Sequence, residues 1–164
     1  MTRGILVYPG LGKSTLCAAN PKFEDFETRI FKDMNLKEFI GRDDYPNFRG
    51  TPLGPMNPDF PDNMIEYARR ELAAGRILLT VPKKDTYDAC RMLGIDDYVF
   101  VMPDRERLAQ LEQDYIARGD GAKYIADNLA KRYDETLEYA KANGKKVVFL
   151  KPGEYLGDIV ENLI

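Results

Sequence analysis

The chain has 164 residues, 44% of them hydrophobic and 31% charged, which is enough for one domain with a real core and no disulfide staples. Its formal net charge of −3 offers no electrostatic footprint for nucleic acid or an acidic membrane, and the absence of histidine excludes Ser-His and Cys-His dyads, imidazole bases and histidine metal clusters. Cys17 and Cys90 lie far apart and outside any CxxC spacing, which excludes zinc ribbons and disulfide frameworks.

Residues 4–8 read as a buried strand, because the run Ile5-Leu6-Val7-Tyr8 is too short and too uniformly apolar for an amphipathic helix. It is also far too short to cross a membrane, as is Ile77-Leu78-Leu79. Met1-Thr2-Arg3 leads straight into the first run with no signal-peptide core, so a cytoplasmic chain is expected. A glycine-rich turn and a brief helix over 13–19 follow, stopped at Asn20-Pro21, and residues 23–26 form a second strand. From 33 to 61 the chain is irregular. Five of the ten prolines fall there (Pro46, Pro52, Pro55, Pro58 and Pro61), Gly41, Gly50 and Gly54 add breaks, and only 34–40 can hold a helical turn or two. A loop of that length inside a compact domain is usually functional or mobile.

Order resumes with a helix over 61–74, where Met64, Ile65, Ala68 and Leu72 share a face ahead of Gly75. A strand over 76–81, a helix over 85–93 closed by Gly94, and a strand over 98–102 come next. A helix over 104–117 brings Leu108, Leu111 and Tyr115 together. A longer helix then runs from beyond Gly121 to about 143, with Ile125, Leu129, Tyr133, Leu137 and Ala140 inward. A strand over 145–150 and a helix over 157–164, with Ile159, Val160 and Leu163 inward, end the chain. No repeat, low-complexity tract or linker divides it, so residues 1–164 are expected to form a single domain. Strands alternating with helices predict βαβ crossovers, an α/β fold and a mainly parallel sheet. Ligands of such sheets bind outside the carboxyl ends of the strands.

The loop at the first of those ends is Pro9-Gly10-Leu11-Gly12-Lys13-Ser14-Thr15. Gly10 and Gly12 let successive main-chain amides turn toward a phosphate, and the helix beginning near Lys13 presents its positive end to the same point. Lys13 adds a mobile cation for β- and γ-phosphates, and the Ser14 hydroxyl is a magnesium ligand. The full pattern GxxxxGK[ST] is not met, because Val7 stands where its first glycine belongs. The core GxGK[ST] after an apolar strand is intact and predicts nucleotide binding.

With these residues the sequence resembles the P-loop nucleoside and nucleotide kinases, and more closely a group of small phage and bacterial proteins of that fold described as deoxynucleotide kinases. The likeness rests on Tyr8-Pro9-Gly10-Leu11-Gly12-Lys13-Ser14-Thr15, Asp25-Phe26-Glu27-Thr28 with Phe31, Asn57-Pro58-Asp59-Phe60-Pro61, and Arg118-Gly119. It implies a three-layer α/β/α architecture with five parallel strands in the order 2-3-1-4-5, an acceptor-binding region at about 33–61 and a lid at about 104–123. It also implies an ATP- and Mg2+-dependent transfer of the γ-phosphoryl group to a small acceptor, a (deoxy)nucleoside monophosphate. Another small-metabolite kinase, and a nucleotide-binding module or slow NTPase without transferase activity, are the competing readings.

Asp25 and Glu27 fall at or just beyond the end of the second strand. In kinases of this type an acidic group there holds magnesium or accepts the proton of the acceptor, and a solvated acidic pair is the other reading of the same residues. The third strand ends Leu78-Leu79-Thr80-Val81-Pro82 with no acid of the Walker B kind, so Asp25 or Glu27 has to serve the metal beside Ser14. Thr80 reads as a buried strand residue. Lys83 and Lys84 face either the cleft or water. Arg118, ahead of Gly119-Asp120-Gly121, is the expected lid arginine for the migrating phosphoryl group, since a guanidinium fork binds phosphate oxygens bidentately. Arg105, Arg107 and Lys123 surround it and can serve the same phosphate, although each of the two arginines taken alone reads rather as a solvated helix charge paired with a nearby acid. Arg29, Arg42 and Arg49 bracket the irregular region and are the expected acceptor-binding cations. Tyr45, Phe48 and Phe60 either stack a base there or anchor the loop to the core. The aromatics of the Tyr124–Tyr133 helix read as packing and Cys17 as a small buried hydrophobe.

Overall fold

A computed structural model describes residues 3–164. Five strands, β1 (Gly4–Val7), β2 (Phe23–Asp25), β3 (Ile77–Thr80), β4 (Tyr98–Pro103) and β5 (Val147–Leu150), pair entirely in parallel in the order β2-β3-β1-β4-β5. Between them lie α1 (Lys13–Ala19), α2 (Arg29–Lys32), α3 (Leu36–Phe39), α4 (Asp62–Ala73), α5 (Lys84–Met92), α6 (Leu108–Ala117), α7 (Ala122–Ala126), α8 (Tyr133–Ala142) and α9 (Leu156–Ile159). The fold is α/β, as the alternation of strands and helices predicted, and the order of the strands is the one the resemblance implies. Every residue of β1, β3 and β4 is buried, as happens when helices cover both faces of a parallel sheet. No helix among the described residues is long and apolar enough to cross a membrane.

β1 is central. Gly4, Ile5 and Leu6 lie opposite Leu78, Leu79 and Thr80 on one side, and Gly4 to Val7 opposite Tyr98 to Val101 on the other. The chain leaves β1 toward β2 and leaves β4 toward β5, in opposite directions, so a crevice opens at the carboxyl ends of these two neighbours. Met64, Ile65 and Ala68 of α4, Ala89 and Cys90 of α5, and Leu111 and Tyr115 of α6 bury their apolar faces in one continuous core with the strands.

Two departures from the sequence expectation matter for the site. The long helix expected to run to about residue 143 is interrupted: α7 and α8 are joined by a π-helical stretch, Asp127–Arg132. The reason is tertiary. Asn128 is wholly buried, its side-chain amide donates to Tyr124 O, and its main-chain carbonyl accepts the Tyr8 hydroxyl from the end of β1. A widened turn admits that tertiary partner without breaking the helix. The second departure concerns Arg107, which is no solvated helix charge: it is completely buried, whereas Arg105 is exposed and pairs with Asp134. On α6, Leu111 and Tyr115 are fully buried, as their shared face suggested.

Tyr8→Phe removes the donor to the buried Asn128 carbonyl while keeping the ring. It is expected to lower unfolding stability by about 1–3 kcal/mol in urea titration, the cost of leaving one buried acceptor unmet.

Candidate functional site

The loop between β1 and α1 is held in its turned form by contacts within the chain. Gly10 and Gly12 have φ of 86° and 90°, a left-handed backbone that an L side chain resists. At Gly10 space is short as well: a Cβ would stand 2.9 Å from Leu111 Cδ2 and 3.0 Å from Tyr115 Cε1. The carbonyls of the loop are tied outward. Tyr115 Oη donates to Pro9 O at 2.7 Å, and Leu156 N donates to Leu11 O at 2.9 Å. The first hydrogen bond of α1 runs from Leu16 N to Gly12 O, so the amides of Lys13, Ser14 and Thr15 have no carbonyl partner among the described residues, as at the start of any helix. Such amides can receive an anion.

Beside that helix start, one carboxylate gathers the polar side chains. Asp25 Oδ1 pairs with the Lys13 ammonium, and Asp25 Oδ2 accepts the Ser14 hydroxyl at 2.7 Å. Lys13 is not the exposed side chain a bare loop would carry, since only 13% of its side-chain surface is open. Among the described residues no group of three or more histidine, cysteine, aspartate or glutamate side chains could hold a metal ion by itself. Ser14 and Asp25 make a two-oxygen set that fits Mg2+, an ion that keeps several waters and takes further oxygens from a phosphate.

Glu27 lies next to this cluster. Its carboxylate accepts from Lys83 Nζ at 3.1 Å and from the Arg29 amide at 3.2 Å. Burial works against its ionisation, but the charges of Lys83 and Lys13, with those hydrogen bonds, outweigh it and hold the carboxyl below its ordinary value. Burial lowers the Lys83 ammonium in turn, with Glu27 pulling the other way. The two lysines after β3 therefore divide: Lys83 turns inward to Glu27, and Lys84 is exposed and pairs with Asp88. Thr80 is buried with its hydroxyl near that of Thr86, as its position in a strand suggested.

The arginines expected to serve the acceptor do not converge. Arg29 bends back to Asp33 at 2.8 Å and to Thr51 O, which braces the irregular segment from within. Arg42 is about half exposed, pairs with Asp44 and covers Phe39. Of the three, Arg49 is the one whose side chain is joined to another expected phosphate-binding cation. Its Nη1 donates to Asp120, whose second oxygen accepts from Arg118. Arg118 also lies over the ring of Tyr115, the residue that holds Pro9. Phe48 packs against Phe39 within the irregular segment, and Phe60 packs on the core under Lys32 and so ties the segment's end to it. Tyr45 lies beneath Arg49. Cys17 is half-buried against the core rather than enclosed.

Several side-chain roles at the site carried no signal in the sequence. Tyr8 reads as the end of a buried strand and the start of the glycine-loop motif, Tyr115 as part of an apolar helix face, and their hydroxyl bonds appear only once β1, α6 and the π-helical turn are assembled. Arg132, on that turn, donates to Asn128 Oδ1 and has no carboxylate partner among the described residues. Its charge bears on Tyr124 together with those of Arg118, Asp120 and Arg49, while burial raises the Tyr124 phenol above its usual value. Arg107 lies under the Tyr155 ring, with its Nε and Nη2 unpartnered, and Tyr155 in turn packs beside Gly12. Asp120 stood out in the sequence only as the residue between Gly119 and Gly121. The chain matches no protein-family model and no curated protein sequence.

Gly10→Ala is expected to cost about 1–3 kcal/mol of stability by urea titration, because the added methyl meets Leu111 and Tyr115. A second expectation concerns acid. The lowered Glu27 carboxyl takes up its proton at lower pH when folded than when unfolded, so its stabilisation is present above the ordinary glutamate range and is lost as pH falls through and below that range. Glu27→Gln should flatten this part of the acid limb in melting temperatures measured from pH 7 to pH 3.

Proposed function

We propose that the protein is an ATP-dependent phosphotransferase of the P-loop kinase kind, moving the γ-phosphoryl group to a (deoxy)nucleoside monophosphate. The observation that carries this reading is the convergence of Lys13 and Ser14 on Asp25, beside the turned glycine loop at the carboxyl end of the central strand. A structural turn needs neither a nearly enclosed lysine nor a hydroxyl and a carboxylate set side by side. A site for a metal-bound polyphosphate needs all three.

In this reading the amides at the start of α1 hold the donor phosphates, and Lys13 passes from Asp25 to the bridging and terminal oxygens. Mg2+, when bound, neutralises charge on those oxygens and orients them. Ser14 and Asp25 are the side chains that hold it, and Asp25 on β2 does so in the absence of an acid at the end of β3. An oxygen of the acceptor phosphate attacks the γ-phosphorus in line, the bond from that phosphorus to the bridging oxygen breaks, and its electron pair leaves on ADP. Arg49 and Arg118 offset the charge of the acceptor phosphate, and Glu27 holds Lys83 beside the cradle.

Lys13→Ala is expected to reduce phosphoryl transfer by about 10²–10³-fold, measured as ADP release coupled to acceptor phosphorylation. Its melting temperature, measured alongside, separates this from loss of the Lys13–Asp25 pair. ATP with magnesium should raise the melting temperature of the unmodified protein in proportion to occupancy, and chelation of magnesium should abolish turnover. ATP binding with hydrolysis and no phosphorylated acceptor would convert the reading to a nucleotide hydrolase. No binding of any nucleotide would remove it.

A further inference from the structure

The turn after α6 carries a carboxylate in an unusual position. Gly119 N donates to Ile116 O and Asp120 N to Tyr115 O, so residues 118–121 are held tightly against the end of the helix. There the Asp120 side chain is fully buried, at 0% exposure, between two arginines from distant parts of the chain. Arg49 Nη1 donates to its Oδ1 at 2.5 Å, and Arg118 Nε donates to its Oδ2 at 3.0 Å, with Nη2 on the same oxygen. Each oxygen serves one guanidinium.

The arginines are more open than the acid between them. Their side chains are 26% and 38% exposed, so the carboxylate lies behind the pair. Arg49 Nε and Nη2 and Arg118 Nη1 make no other hydrogen bond among the described residues, and two cations on one anion leave a charge of one in excess. Each guanidinium also lies over an aromatic ring, Arg49 5.6 Å from the centroid of Tyr45 and Arg118 4.8 Å from that of Tyr115. A single ion pair would have sufficed to neutralise Asp120. Burying a carboxylate to hold two half-open forks is costly for stability alone, and is what pre-orientation of the forks requires.

We infer that Asp120 is a positioning residue, which locks Arg49 of the irregular segment and Arg118 of the α6 turn into one seat for a phosphate monoester dianion. Tyr115 ties that seat to the β1–α1 loop through Pro9. The assignment of the anion as the acceptor's phosphate rests on the proposed function; the geometry of the seat does not.

The sign of one substitution tests the inference. Asp120→Asn removes a negative charge, so simple electrostatics predicts tighter anion binding. A positioning role predicts the reverse, because an asparagine oxygen can accept from one guanidinium while its amide, a donor, faces the other and releases it. Titration of deoxynucleoside monophosphates, each against its unphosphorylated nucleoside, into protein held saturated with a non-hydrolysable ATP analogue should show the monophosphate affinity of the variant falling at least about tenfold. In turnover, acceptor KM should rise more than kcat falls. Equal or tighter monophosphate binding in the variant overturns the inference. Should the variant fail to fold, Arg49→Gln, Arg118→Gln and the double variant decide it. Arginines acting as one unit lose about as much singly as together, and losses that multiply overturn the inference. Unmodified protein that binds ATP but prefers no monophosphate over its nucleoside sinks this inference and leaves the donor site standing. Absence of ATP binding sinks the kinase reading, and the monophosphate titration, repeated without the analogue, then judges the seat alone.

Discussion

Two hydrogen bonds to loop carbonyls, Tyr115 Oη to Pro9 O and Leu156 N to Leu11 O, hold the β1–α1 connection in its turned form. They come from two separate later parts of the sequence, one from α6 and one from the start of α9, and beside them the glycines at 10 and 12 adopt left-handed backbone. A glycine-rich loop has much conformational freedom to lose, and that loss would otherwise fall on the binding of a ligand. Here it is met during folding, by contacts that also bury a tyrosine in the core. The rest of the site follows from this constraint. α1 can start at Lys13 only because Gly12 turns, and Lys13 and Ser14 can meet Asp25 only because α1 starts there.

Charge in the site is organised around three carboxylates, each holding cationic or hydroxyl partners in a fixed arrangement. Asp25 gathers Lys13 and Ser14, Glu27 gathers Lys83, and Asp120 gathers Arg49 and Arg118. Exposed pairs such as Arg42–Asp44 and Lys84–Asp88 contribute little, because water screens them. The half-buried groups differ, since burial both strengthens the pairing and penalises any unpaired charge. For the proposed transfer the consequence is that cations stand ready around the polyphosphate and need little rearrangement as charge moves.

The fold was largely legible. β1, β3 and β4 are short uniformly apolar runs, α1 has a clear stop at Asn20-Pro21, and the apolar face of α4 was readable from Met64, Ile65 and Ala68. These features are set by nearest neighbours and by periodicity, so a linear reading recovers them. The π-helical interruption was not legible, because it answers a hydroxyl from the end of β1 that lies 120 residues away. The proline-rich segment was equally opaque. Its arginines were treated as equivalent, yet Arg29 braces the segment from inside, Arg42 faces water, and only Arg49 meets the turn after α6. Nothing adjacent in the chain distinguishes them; their carboxylate partners do.

The amino-acid sequence by itself determined the alternation of strands and helices, the glycine loop ahead of Lys13 and Ser14, and the supply of acids and arginines. These are local properties, written in spacing and residue type. Tertiary structure alone decided which acid serves which cation, that Arg107 is buried, and that Asp120 lies behind Arg49 and Arg118. Pairing between charged side chains depends on distance and burial, and both exist only after the chain has folded the separate segments onto one sheet.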